Sequence, residues 1–275
     1  MFTGKAAYPQ DSASSSVPEG TEDLSDMVAL LSPYETPLLD MLGDPLRKAG
    51  HARHEWRTDT IGKEIWYYNT FVPFTASLEV RRDDVTVGQD TLADEVEYQK
   101  QEKLRVLLRE LENAVINGQP ANGGPEAMKG ILSFLTTNVF RPGDANFPAG
   151  NELNEAQINY VSQKTWLNSN SYVDLIVVGG FQKRRMNQLF GPSFRNVYDS
   201  DFGSCEVVVT RWMPDDAVLF LDSSKIDVVP RTGHSFHYKL LARSPHFQHG
   251  QLSGEYTLEL RNEVAHGLIR GLKSE

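Results

Sequence analysis

A single cysteine, Cys205, in 275 residues has no partner for an intramolecular disulfide, and no CxxC pair or Cys/His zinc framework exists. Long apolar runs are missing too. The longest, residues 175–178 leading into Gly179, Gly180 and Phe181, is far below the ~20 residues that a membrane span needs. The opening Met1-Phe2-Thr3-Gly4-Lys5 has no apolar region of a secretory signal. Positive charge is in deficit: 27 Lys and Arg against 37 Asp and Glu give −10, which argues against a protein that grips nucleic acid through a basic face. These absences predict a soluble chain of a reducing compartment with no membrane partner.

Catalytic signatures are equally scarce. There is no G-x-x-x-x-G-K-[ST] loop and no G-x-G-x-x-G; Gly179-Gly180, between an expected strand and helix, reads as an ordinary tight turn. His54-Glu55 lacks the second histidine of H-E-x-x-H, and no serine sits in a G-x-S-x-G elbow. Cys205 reads as a small buried thiol. His234, His237, His246 and His249 form two i, i+3 pairs that could ligate zinc, but such pairs on extended backbone point to opposite faces, and no carboxylate or thiolate sits within the cluster. They read as a partly exposed, pH-sensitive surface. Lys183-Arg184-Arg185 reads as a solvated helix face or a salt-bridge partner across a subunit contact, and Asp199-x-Asp201 lacks the other ligands of an EF-hand loop. No catalytic, cofactor-binding or metal-ligating residue is assigned, and no cofactor is expected.

What is present is organisation. With 40% hydrophobic residues and 10% aromatics the chain can bury a real core, and its length suggests about two domains or one with large excursions. Residues 1–20, with Ser12, Ser14, Ser15, Ser16, Pro9, Pro18 and Gly20, offer little to bury. Leu24, Met27, Val28, Leu30 and Leu31 form a short helical pattern. Ser32-Pro33-Tyr34-Glu35 then reads as a capping box starting a new helix, and Thr36-Pro37 repeats the signal before Leu38, Leu39, Met41 and Leu42.

From about 51 to 87 the sequence reads as a long two-stranded excursion. A β-prone segment at 54–61, a turn at Gly62 and aromatics at Trp66, Tyr67, Tyr68, Phe71 and Phe74 precede a returning segment from Leu78 to Val87. Such a charged hairpin cannot bury either face alone and needs a partner surface. A deletion of residues 62–78 is therefore expected to leave a folded subunit.

The clearest helix runs from about 89 to 117, its apolar residues Leu92, Val96, Leu104, Leu107, Leu108, Leu111 and Val115 at the 3.6 period. At 1.5 Å per residue it would be about 40 Å long. Asn117-Gly118 and Pro120 end it, and loops follow at 122–125 and 140–151. Asn154 with Gln157 is a capping box, with Leu153 and Ile158 as hydrophobic staple, opening a helix to about Leu167. A buried strand at 174–178, a helix at 181–190 and strands at 206–211, 217–221, 226–229 and 255–261 complete the pattern.

The order of these parts, from arm through short helices, charged hairpin and long helix to an α/β region and closing strand, resembles the major capsid proteins of tailed bacteriophages with the Hong Kong 97-type fold. Four segments carry the resemblance: Asp23-Leu24-Ser25-Asp26 with Leu31-Ser32-Pro33-Tyr34-Glu35-Thr36-Pro37-Leu38; His54-Glu55-Trp56-x-x-Asp59; Arg211-Trp212-Met213-Pro214 with 218–222; and Gly254-Glu255-Tyr256-Thr257-Leu258-Glu259 through Asn262, Ala265-His266-Gly267 and Leu272.

The resemblance implies an α+β capsid fold with an N-terminal arm at 1–24 and an extended loop at 49–88 lying over the adjacent subunit. It implies a peripheral domain from 25–48, 89–145 and 225–260, with the long helix as its spine, and an axial α/β domain from 146–224 and 261–275. The implied function is non-enzymatic: self-assembly into hexamers and pentamers of an icosahedral head enclosing double-stranded DNA without sequence-specific binding. The implied partners are other copies of the chain, a portal, a separate scaffolding protein and decoration proteins, in a virion assembled in the host cytoplasm. Lys63 lies in the hairpin, but no isopeptide-forming triad is identified with it. Two alternatives remain: a nanocompartment shell of the same fold, and a metal-dependent hydrolase using the 234–249 histidines.

Overall fold

The computed structural model describes residues 21–43, 49–50, 53–58, 66–81, 92–119, 127–169, 171–191, 194–244 and 246–274. Most of the expected N-terminal arm, the hairpin turn with Gly62 and Lys63, residues 82–91 and the loop at 122–125 lie outside them.

Described order begins with strand β1 (Thr21–Asp23), followed by helices α1 (Ser25–Glu35) and α2 (Pro37–Leu42). The Asp23 carboxylate accepts from the Ser25 amide and hydroxyl at 3.0 and 2.6 Å, a local turn that leads into α1. The capping box expected at Ser32 does not form: α1 runs through Pro33, and Ser32 is buried within it. The proline forfeits only the bond to the carbonyl of Ala29, an exposed residue, while the Thr36 amide still closes on the Ser32 carbonyl at 2.9 Å. The restart at Thr36-Pro37 does occur, with Pro37 opening α2.

Strands β2 (Arg53–Arg57) and β3 (Trp66–Thr70) pair antiparallel, His54 opposite Asn69 and Trp56 opposite Tyr67. The chain does not then return along β2. After Phe71 it continues as β4 (Val72–Arg81), whose ten residues pair instead with the last long strand, β12 (Phe247–Leu260). This corrects the reading of a hairpin return over its described part, 78–81, and with it the expected outcome of deleting 62–78; residues 82–87 lie outside the described residues. Phe74 and Leu78 are buried, so that deletion would remove core strand.

Helix α3 (Leu92–Asn117) follows the expected period, with Val96, Leu104, Leu107, Leu108, Leu111 and Val115 all buried. It covers the face of a five-stranded sheet in which β12 is central. One side of β12 carries β4; the other carries β11 (His237–Arg243), itself flanked by β1, and then β10 (Ile226–Pro230). The face away from α3 is polar, with Thr75, Ser77 and Glu79 exposed. Gly250 on the covered face is a close-approach position, because a Cβ there would lie 2.2 Å from the Tyr238 hydroxyl.

A short helix α4 (Ile131–Phe134) and strand β5 (Val139–Phe140) lead to the second half. This contains helices α5 (Glu155–Ser169) and α6 (Gly180–Phe190) and strands β6 (Leu175–Val178), β7 (Val197–Ser200), β8 (Gly203–Val209), β9 (Val218–Leu221) and β13 (Gly267–Ile269). The strands and β5 form a six-stranded sheet in the order β5-β13-β9-β6-β8-β7. Every residue of β6 and β9 is buried, as expected for central strands covered on both faces. One face adds Leu175, Val177, Val208, Leu219 and Leu268 to the core shared with α3; the other packs Ile158, Val161, Ile176, Met186 and Phe220 into a second core.

The capping box of α5 is present in both directions. The Gln157 amide donates to Asn154 Oδ1 at 2.9 Å, and the Asn154 amide donates to Gln157 Oε1 at 3.2 Å. Asn154→Ala is expected to cost about 1 kcal/mol in urea unfolding, and an unchanged midpoint would count against this cap as a stabilising contact.

Candidate functional site

The sequence candidates for chemistry do not converge. His237 and His249 both sit on the open polar face of the five-stranded sheet, but His237 is opposite Ser253 while His249 is opposite Ala242 and Glu79. Four residues of β12 separate these positions, about 13 Å at 3.3 Å per residue. His237 donates through Nδ1 to the Ser235 carbonyl at 2.7 Å, which makes its Nε2 the acceptor for the Ser253 hydroxyl at 3.1 Å in the neutral ring. His234 lies 3.5 Å from Glu255, and His246 is exposed beyond the far end of β11. Among the described residues no group of three or more His, Cys, Asp or Glu could hold a metal ion.

The other candidates are used inside the fold. Gly179 caps α6, and a Cβ there would lie 2.9 Å from both Asp215 Oδ1 and the Met213 carbonyl. The chain's own carboxylate thus occupies the position a phosphate would need. Cys205 is buried, donates to the Val173 carbonyl at 3.2 Å, and burial pushes its thiol up to about 11. Lys183 bonds the Arg195 carbonyl and lies 4.4 Å over the Phe194 ring, with burial lowering its pKa. Arg185 pairs with Glu152 at 2.8 Å, so two of the three basic residues on α6 serve contacts within the chain. Asp201 accepts from Asn159 at 3.2 Å.

The β2–β3 hairpin combines a rooted inner face with an outer face of exposed aromatics. Alternation gives it two unlike faces. The inner one carries His54, Trp56, Tyr67 and Asn69 and is tied to the body at four points. Trp56 Nε1 donates to the Leu260 carbonyl at 2.8 Å. Asn69 Nδ2 donates to the carbonyls of Lys129 and Leu258, each at 3.0 Å, and Asn69 Oδ1 accepts from the Lys129 amide at 2.9 Å. His54 Nε2 meets the buried Glu259 carboxylate at 2.7 Å. Trp56 and Tyr67 each lie 6.1 Å from the Phe134 ring, with Lys129 Nζ 4.4 Å over that ring. Burial lowers the Lys129 pKa and, with the Glu263 charge, raises that of Tyr67.

The outer face touches nothing among the described residues that would cover its aromatics: Trp66 is 65% and Tyr68 55% exposed. Arg53 stacks 3.5 Å over the Tyr68 ring and lies 3.2 Å from Glu55, while Arg57 is opposite Trp66 in register. Tryptophan, tyrosine and arginine are the side chains that dominate protein–protein contacts. Here they are held out on a strand pair rooted by hydrogen bonds. The sequence exposed the aromatic run but not the root: Asn69 and Glu259 find their partners only through the fold.

In sequence, residues 4–65 and 68–273 match the family described as SU10 major capsid protein. No curated protein matches the chain. In structure it is similar to a phage-related protein of Bordetella bronchiseptica, 12% identical, over 94% of this chain and 100% of that one, with a TM-score of 0.60. It is similar to the capsid protein of Myoviridae phage XM1, 11% identical, over 83% and 89% of the two chains, with a TM-score of 0.58. An encapsulin complex from Synechococcus elongatus aligns at 10% identity over 98% and 97%, also with a TM-score of 0.58. At such identities the likeness establishes a shared fold.

Proposed function

Because the chain belongs to the SU10 major capsid protein family and has the Hong Kong 97-type fold, we propose that it is the repeated, non-enzymatic subunit of a phage head. It closes through hexamers and pentamers around double-stranded DNA. The family match along nearly the whole chain carries this reading. The residues before β1 are the arm, and the β2–β3 hairpin, 53–70, is the extended loop over the neighbouring copy. Strands β1 and β4 pair within the five-stranded sheet and so go with the peripheral domain, which narrows the expected bounds of 1–24 and 49–88. The peripheral domain holds α3 and the five-stranded sheet, and the axial domain holds the six-stranded sheet. The pairing of β5 with β13 supports starting the axial domain near 139 rather than at 146. Portal, scaffold and decoration proteins are the further partners, and assembly takes place in the host cytoplasm.

The hairpin supports the reading physically. Its outer aromatics are left uncovered by the described residues of the same subunit and so are open to a neighbouring copy; a heterologous contact there would generate rings. The net charge of −10 disfavours adhesion of packaged DNA to the wall. Double replacement of Trp66 and Tyr68 by serine is expected to change subunit stability by less than about 0.5 kcal/mol, because both are exposed, yet to abolish closed shells. Normal shells from the double variant would remove the hairpin from the contact.

The direct test is negative-stain microscopy with light scattering on the chain expressed with scaffold and portal. Hollow closed shells are expected; a persistent monomer or dimer would overturn the proposal. The encapsulin likeness favours a second reading, a cargo-enclosing compartment, which the same particles decide by their contents: enzyme in place of DNA.

A further inference from the structure

Glu112, on the inner side of α3, is fully buried, and its two oxygens have unequal fates. Oε1 accepts from the Thr210 hydroxyl at 2.6 Å, whereas Oε2 is buried with no partner. Other buried carboxylates in the chain are better served. Glu263 accepts from the Thr136 and Thr137 amides, each at 2.7 Å, and from the Thr137 hydroxyl at 2.8 Å. Glu259 is bonded by His54 at 2.7 Å and Arg261 at 3.1 Å. Among the described residues no other carboxylate oxygen is buried without a partner.

The position is a junction. Glu112 projects from α3 toward Leu38 at the start of α2 and toward Thr210, the residue after β8. The first two elements belong to the half built on the five-stranded sheet; β8 belongs to the six-stranded half. Charged groups near the joint are few. On α3, Arg109 is engaged by Glu35 of α1 at 2.5 Å. Helix α2 contributes Asp40, and the connection after β8 contributes the exposed Arg211. Among the described residues, β4, β12 and α4 contribute Phe74, Leu78, Val80, Leu252, Ile131 and Phe134 to the core with α3; β12 also carries the buried Thr257 and Glu259, the latter engaged by His54 and Arg261.

We propose that Glu112 is a proton-operated latch between the two halves of the subunit. As the neutral acid it lets α2, α3 and the segment after β8 close on one another; as the carboxylate it loosens that joint. The reason is the orphan oxygen. A hydroxyl without a partner in an apolar site is a modest cost, but a buried carboxylate with one oxygen unserved costs more, even with Thr210 bonded to the other. Ionisation therefore draws in water or the Arg211 guanidinium, and either requires the joint to open. Burial supports the assignment by pushing the carboxyl up to about 7, against the opposing effects of the Thr210 bond, the Leu38 amide and Arg211. In a shell the latch would set the angle between the halves; that consequence rests on the capsid reading, while the latch itself does not.

The test is hydrogen–deuterium exchange on the full chain from pH 5 to 9, corrected for intrinsic exchange, read at the amides of 36–42 and 207–213. In the wild type the opening equilibrium of these segments is expected to rise on the order of 100-fold across that range. In Glu112→Gln it is expected to stay flat. A flat wild type, or an equal rise in the variant, overturns the proposal. Should Glu112→Gln not fold, Thr210→Val decides: loss of the bond that favours the carboxylate must move the wild-type midpoint upward, and an unmoved midpoint sinks the latch. Infrared spectroscopy of the wild type gives an independent reading, a protonated-carboxyl band at pH 5 that is lost by pH 9. Its absence at pH 5 overturns the proposal.

Discussion

Asn69→Ala is expected to destabilise the subunit by about 3–4 kcal/mol and to free the β2–β3 strand pair from the body before the rest unfolds. One buried side chain here holds three backbone groups of the body, the Lys129 amide and carbonyl and the Leu258 carbonyl, besides the adjacent Thr70 amide. Alanine removes all of these bonds, and each group left dry and unpaired costs about 1–3 kcal/mol. Three such groups give about 3–9 kcal/mol, and water entering the vacated space offsets much of this, which sets the estimate at the low end of that range. A two-stranded ribbon has little stability of its own, so the loss should be felt first where the ribbon is rooted. Urea unfolding gives the size, and amide exchange at 53–57 and 66–70 gives the place. A loss below about 1 kcal/mol, or exchange no faster in those strands than in β12, would show that Trp56 and His54 suffice. The same variant should assemble poorly, since a contact face on a loose ribbon must be ordered before it can bind.

The partners of Asn69 explain why the sequence did not show it. They lie 60 and 189 residues away, and both are backbone groups, which leave no trace in side-chain pattern. What was legible was local. The period of Val96 to Val115 located α3, the reciprocal Asn154–Gln157 pair located α5, and the apolar runs at 175–178 and 218–221 located two central strands. Ser32-Pro33 misled because a capping signal competes with burial: Leu31 and Ser32 are worth more inside a continuous α1 than at the start of a new helix. Strand β11 is not legible in the sequence because most of it is exposed and carries no alternating apolar face. β4 differs from the expected hairpin return because its alternation fits either a free hairpin or a sheet strand, and only pairing with β12 decides. Glu112 could have been noticed. It lies four residues after Leu108 and three before Val115, on the apolar stripe of α3, where a carboxylate conflicts with its surroundings.

That conflict has a counterpart elsewhere in the chain, and the two should hide each other. His266 is fully buried; its Nδ1 accepts from the Asp222 amide at 3.2 Å and its Nε2 has no partner. Burial lowers its pKa to about 4, outweighing the attraction of Asp222. The signs are opposite. Glu112, raised to about 7, holds its proton more tightly when folded, so its stabilising contribution is complete below its ordinary value near 4.5 and is lost as pH rises to about 7. His266 binds its proton less tightly when folded, so its contribution is present above its ordinary value of 6.5 and is lost as pH falls toward 4. Each shift is about 2.5 units, or roughly 3 kcal/mol, and between about pH 4.5 and 6.5 the two slopes cancel. Wild-type stability should therefore show little of either group. From pH 4 to pH 8, Glu112→Gln should gain about 3 kcal/mol relative to wild type, and His266→Gln should lose about the same. The measurement is urea unfolding of the three proteins at both pH values. Parallel changes in all three would mean that neither group titrates within the folded state over this range. Divergence in opposite directions would mean that two unsatisfied burials, one on each side of the joint, together leave the subunit nearly indifferent to pH while the joint itself is not.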